Sequence, residues 1–189
     1  MRVVGGQLRG RPLAGPQSDR VRPTSDRVRE AMFNILEHGA AAVPLEGAMV
    51  LDLFAGTGAL GIEALSRGAR FCLFVEEDAE ARGLIRRNIE ALGLAGVTKL
   101  YRRSALDLGP AGKHAGATLA FLDPPYGNGL GELALASLAA GGWLIDGAIA
   151  VLEERAGAEP KIPPPFARID QRTWGDTEAH FLRFHATAG

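Results

Sequence analysis

Cysteine is nearly absent: the 189 residues contain one, Cys72, so no internal disulfide can form. It lies in the apolar run Phe71-Cys72-Leu73-Phe74-Val75, where a free thiol packs as a small hydrophobe. His38, His114, His180 and His185 show no zinc-ligand spacing with it, and no metal site is expected. No stretch approaches the roughly 20 apolar residues that span a bilayer, and no charged segment leads into an apolar run with a small-residue cleavage site. A cytoplasmic protein without membrane attachment is the expectation. Internal repeats and long low-complexity tracts are missing too. With 47% hydrophobic residues over this length the chain can bury one core, so a single domain is expected.

Net charge is also close to nothing, −1, yet the sum hides an asymmetry. Residues 1–30 hold Arg2, Arg9, Arg11, Arg20, Arg22, Arg27 and Arg29 against Asp19, Asp26 and Glu30, which leaves the remainder acidic. Arginine pairs with phosphate oxygens bidentately and releases counterions, so a basic start points to a polyanionic partner. Residues 1–23 are rich in Gly, Pro and Arg without periodicity and read as an extended basic arm with no packed core. Residues 24–189 read as the domain proper.

After Pro23, Thr24-Ser25-Asp26 offers helix N-caps, and Val28, Ala31, Met32, Ile35 and Leu36 recur at helical spacing until Gly39. From residue 47 short apolar runs alternate with helical stretches. The spacing predicts strands at Met49–Phe54, Phe71–Val75, Val97–Tyr101, Thr118–Leu122 and Ala148–Leu152, with helices near 59–67, 78–92 and 130–140. That alternation is the signature of a parallel α/β sheet covered on both faces. Phe166–Trp174 and Thr177–Phe184, separated by Gly175-Asp176, predict an antiparallel hairpin closing one edge.

The run from Leu51 to Gly61 passes from a strand directly into a helix and contains Gly56, Gly58 and Gly61. Glycines there let the backbone approach a nucleotide-like cofactor, with the amides of the helix N-terminus facing it. Glu76 ends the next strand, where a carboxylate can grip both hydroxyls of a ribose. These features fit a nicotinamide dinucleotide and S-adenosylmethionine equally well. Asp52, costly to bury without a partner, favours the second, because it can anchor the loop or receive a methionine ammonium, a group that pyrophosphate lacks.

Asp123-Pro124-Pro125-Tyr126 directly follows the apolar strand Ala120-Phe121-Leu122, on the sheet edge where open α/β folds bind ligands. Two successive prolines remove two N–H donors and leave carbonyls outward as acceptors. Such a pocket wants a donor, and an exocyclic base amine is one. With Asp123 and the Pro124 carbonyl each accepting an N–H, the nitrogen is held in line with a sulfonium methyl, and Tyr126 is placed to stack on the base.

Asp-Leu-Phe-Ala-Gly-Thr-Gly resembles motif I of the class I methyltransferases, and Asp-Pro-Pro-Tyr resembles the motif of those that methylate amino groups. Val3–Arg11, Arg22–Asn34 and Ala59–Gly68 narrow the resemblance to the bacterial 16S ribosomal RNA guanine-N2 methyltransferases, over most of the chain. Residues 154–189 are the least specific. The resemblance implies a Rossmann-like, mostly parallel seven-stranded sheet, S-adenosylmethionine as cofactor, and a guanine of 16S ribosomal RNA or the small ribosomal subunit as substrate; a monomer is the expectation, although the sequence itself leaves the oligomeric state open. It makes Asp52, Gly56, Gly58 and Glu76 cofactor residues and Asp123, Pro124 and Tyr126 the amine-holding set. Where that family places Asp or Asn against the adenine, this chain has Arg102-Arg103-Ser104-Ala105, so the Ser104 hydroxyl or the Ala105 N–H is the expected replacement. Arg9, Arg11, Arg22 and Arg27 are the expected RNA contacts, on an arm lying near the open cofactor edge. The rivals are adenine-N6 methylation of DNA, methylation of a protein glutamine, a nicotinamide-dependent oxidoreductase, and a noncatalytic RNA-binding module. The first commonly needs an extra target-recognition region, and the Arg-rich start argues against the second. The last two leave Asp-Pro-Pro-Tyr unexplained.

Overall fold

The structure, a computed structural model, describes residues 1–19 and 23–187. Its elements in chain order are α1 (Asp26–His38), β1 (Met49–Leu53), α2 (Ala59–Ser66), β2 (Phe71–Val75), α3 (Ala79–Ala91), β3 (Thr98–Tyr101), β4 (Ala117–Leu122), α4 (Leu130–Ala140), β5 (Leu144–Arg155), β6 (Phe166–Trp174) and β7 (Thr177–Phe184). The seven strands form one sheet in the order β3-β2-β1-β4-β5-β7-β6. The first five run parallel, and β7 lies antiparallel between β5 and β6. The α/β class, the seven-stranded sheet and the C-terminal hairpin all stand as the sequence predicts. One difference is β5, which begins at Leu144, ahead of the predicted Ala148. Ile145 and Asp146 are exposed and Gly147 has φ +81°, so the start of the strand carries no buried alternation to read.

Strands buried on both faces divide the core in two. Val50, Phe74, Phe121, Val151 and Phe181 face one layer with α1, α2 and α3, while Leu51, Leu73, Leu122, Leu152 and Leu182 face the other with α4 and Trp143. Among the described residues no helix is long and apolar enough to cross a membrane.

The opening residues are built differently from the expected extended arm. Val3 and Leu13 are 1% and 6% exposed and belong to the α1–α3 core layer, and Arg2 and Pro12 form a bridge. The buried Glu63 carboxylate of α2 explains the attachment, because it accepts the N–H groups of Val4 and Gly5 at 3.0 and 2.8 Å. It is also paired with Arg29 and Arg67 at 3.4 and 2.9 Å. A few backbone donors met by one neutralised carboxylate hold this segment, so no hydrophobic periodicity advertises it.

Candidate active site

The carboxyl ends of β1, β2, β4 and β5 open onto a cleft of about 520 Å³, whose walls include Gly56, Glu76, Asp78, Asp123, Tyr126 and Glu153. Asp52, 1% exposed on β1, accepts the Gly61 N–H at 2.9 Å and so ties the strand end to the first turn of α2. Burial pushes its carboxyl well above the usual range, opposed in part by the Gly61 bond and reinforced by Asp123 and Glu76. Asp52 does not line the cleft. Of its two expected roles, the structure displays loop anchoring. Phe54, Gly56 and Gly58 take positive φ angles of 54°, 60° and 80°, which turn the chain from β1 into α2. Gly56 faces the cleft, whereas Gly58 caps α2 against Phe74, Ile85 and Ile62.

Glu76 follows β2. One of its oxygens accepts the Gly56 N–H at 2.8 Å and the other the Asp78 N–H at 3.0 Å. A carboxylate offers about four acceptor positions, so both oxygens keep capacity toward the cleft. Arg82, 8% exposed, donates to the carbonyls of Glu76 and Glu77 and steadies this turn.

Asp123 stands beside Glu153, since β4 and β5 are parallel neighbours with Leu122 opposite Leu152. Their side chains are hydrogen-bonded. Two carboxyl groups so close cannot both ionise, so they share a proton. Burial, then the charge and hydrogen bond of Glu153, push Asp123 well above its ordinary value. Glu153 is 3% exposed, and burial raises it to about 7 against the lowering effect of the Thr24 hydroxyl. That hydroxyl donates to the two Glu153 oxygens at 3.1 and 3.4 Å, and the Arg29 guanidinium donates to the Thr24 carbonyl at 3.3 Å. Sequence reasoning missed Glu153. Its only signal is the pair Glu153-Glu154 at the end of an apolar strand.

Pro124 is buried and Tyr126 half-buried, and both line the cleft. Ser104 and Ala105 do not. The Ser104 hydroxyl accepts the Leu106 N–H at 3.2 Å and Ala105 packs in the α4-side core, while Leu106 is the residue that reaches the cleft.

The arginines separate. Arg22 lies outside the described residues. Arg27 is exposed in the first turn of α1, one turn from Thr24 on the cleft wall. Arg29 is fully buried, paired with Glu63 and Asp26 and bonded to the Arg2 carbonyl, so it is structural. Arg11 donates to the carbonyl of Ala91 at 3.1 Å, at the end of α3 remote from the cleft. The turn carrying Arg9 packs by Gln7 and Leu8 on Ser66, the last residue of α2. Arg9 and Arg11 therefore lie about one helix length from the cleft, not at its edge as expected.

The family described as conserved hypothetical protein 95 matches residues 1–183. Ribosomal RNA small subunit methyltransferase D of Escherichia coli is 39% identical over 164 residues, covering 86% of this chain and 79% of its own. The Haemophilus influenzae protein of that name is 32% identical over 178 residues, covering 93% and 89%. Among solved structures, the Escherichia coli protein yhhF, described by its name as a methyltransferase, superimposes with a TM-score of 0.84 at 33% identity over 99% of each chain.

Proposed function

The chain belongs to the conserved hypothetical protein 95 family, which the matches identify with bacterial small-subunit ribosomal RNA methyltransferases, and from that premise we propose that it methylates the exocyclic N2 amine of a guanine in 16S ribosomal RNA. S-adenosylmethionine is the cofactor and supplies the activated methyl group. The observation that carries the reading is that Asp123 and Pro124 line the same cleft as Gly56 and Glu76.

The residues fit the cofactor. The positive-φ turn at Gly56 admits close approach, and Glu76 has unused acceptor positions for two ribose hydroxyls. An amine whose lone pair is delocalised into the base is a poor nucleophile. Asp123 and the Pro124 carbonyl accept its two N–H groups, orient the nitrogen and favour the positive charge it gains. Tyr126 stacks on the base, which must first be turned out of its helix at a cost of a few kcal/mol. Phosphate contacts from arginines offset that cost: the exposed Arg27 near the cleft, with Arg9, Arg11 and Arg22 as further contacts.

The direct test incubates the protein with methyl-labelled S-adenosylmethionine and small ribosomal subunits from cells that lack it. The RNA is then digested to nucleosides. Label in N2-methylguanosine is the expected result. Label in N6-methyladenosine, or only in protein, would refute the proposal.

A further inference from the structure

Building on that reading, we propose that Glu153 is the positioning partner of Asp123: the two carboxyl groups share one proton, and Glu153 accepts, through Asp123, the proton that leaves the amine once it carries the methyl group. The placement rests on register, since adjacent parallel strands set Glu153 beside Asp123 and both line the cleft. Thr24 fixes Glu153 from the far side by donating its hydroxyl, and Arg29 fixes Thr24 through its carbonyl. Asp123 is thus oriented by a buried chain running back to α1, not by a solvated side chain.

The step balances. The nitrogen lone pair forms the new N–C bond as the methyl–sulfur bond breaks, and that bond's electron pair stays on sulfur. The nitrogen then loses one proton to Asp123. The carboxyl pair begins with one proton, ends with two, and returns one to solvent as the product leaves. Among the described residues, the other charged groups acting on the pair are Asp52 on β1, Glu76 after β2 and Glu154 on β5, all acidic. They favour retention of the incoming proton. The Arg29 guanidinium, which donates to the Thr24 carbonyl, is committed to Glu63, Asp26 and the Arg2 carbonyl as well.

The test compares single-turnover methyl transfer to small ribosomal subunits across pH for the wild type and for Glu153→Gln, Glu153→Asp and Asp123→Ala. Cofactor affinity and melting temperature serve as folding controls. Glu153→Gln is expected to bind S-adenosylhomocysteine as the wild type does, to transfer at least tenfold more slowly near neutrality, and to have its acid limb displaced from the wild-type position. The displacement follows because the wild-type limb reports a second proton on the carboxyl pair, whereas the variant's reports the single proton of Asp123 beside a neutral amide. Glu153→Asp, which keeps the ionisable pair, is expected to retain the wild-type limb. A Glu153→Gln profile that superimposes on the wild type, in rate and in limb, would overturn the inference while leaving Asp123 in place. Wild-type transfer by Asp123→Ala would instead overturn the active-site reading on which it rests.

Discussion

At the residue scale the consequences divide between the two cleft walls. Asp123→Ala should lower methyl transfer at least a hundredfold while leaving cofactor affinity nearly unchanged, because the carboxylate is proposed to face the amine and not the adenosine. Calorimetric titration beside single-turnover transfer checks both halves. Glu76→Ala should weaken S-adenosylmethionine and S-adenosylhomocysteine alike, by about 1.5–3 kcal/mol, or roughly tenfold to a hundredfold. Equal affinities by calorimetry would remove Glu76 from the site. Glu153 also bears on stability. Its folded-state value of about 7 stands above the ordinary 4.5, so the native state holds a proton that the unfolded chain releases. Stability attributable to this group is complete below about pH 4.5 and is lost as pH rises through about 7. Glu153→Gln should therefore gain on the wild type across that window, by on the order of 1–3 kcal/mol at its upper end. Thermal melts at several pH values show it, and a stability difference that does not change with pH would contradict it. Asp52, Glu76 and Asp123 could be read from the sequence because each directly ends, or lies within, a recognisable strand–loop signature. Glu153 could not, since its importance comes from the strand beside it, and a linear pattern does not state which strands are neighbours.

Elements were legible where burial imposes a period. The strands at 49–53 and 71–75 and helix α1 fall almost where their apolar runs predict, and Ser25 caps α1 by accepting the Val28 N–H at 3.2 Å. The opening segment was illegible for the opposite reason. Val3 and Leu13 are buried in the core, Met1 and Leu8 pack against it in part, and the rest is held by hydrogen bonds to Glu63, Ser66 and Asn88. One element-level prediction concerns the packing of α2 on the sheet. A methyl group added at Gly61 would lie 2.5 Å from Phe74 and 2.6 Å from Cys72, both in β2. Gly61→Ala should push α2 off the sheet, cost about 1–3 kcal/mol, and weaken cofactor binding, because the Asp52–Gly61 bond that fixes the loop is displaced with it. A melting temperature and cofactor affinity equal to wild type would mean that the helix has room the packing denies.

At the scale of the whole molecule, the described arginines of the first 30 positions do not collect at the cleft: Arg11 is anchored at the end of α3, the turn carrying Arg9 packs on the end of α2, Arg29 is buried, and Arg27 stands one turn from the cleft wall. Ala81 on the cleft wall and Ala91 at the Arg11 anchor stand ten residues apart on α3, about 15 Å along the helix. Arg27→Ala should weaken binding of any RNA that reaches the cleft and flatten its salt dependence by about 0.7–0.9 for each phosphate the arginine would have neutralised. Arg9→Ala should do so for intact small subunits but not for a short hairpin that ends near the target base. Equal weakening on both substrates would place the RNA path elsewhere. Charge composition made a polyanion legible, whereas the path of that polyanion depends on how residues 1–14 fold back along α2 and α3. The central claim, a methyl group placed on guanine N2 of small-subunit RNA, is met most directly by mapping modified nucleotides in 16S ribosomal RNA from cells with and without this protein. The account predicts that N2-methylguanosine disappears at one position and returns with the wild-type chain but not with Asp123→Ala. An unchanged guanine map, or loss of a methyl group from adenine N6 instead, would contradict it.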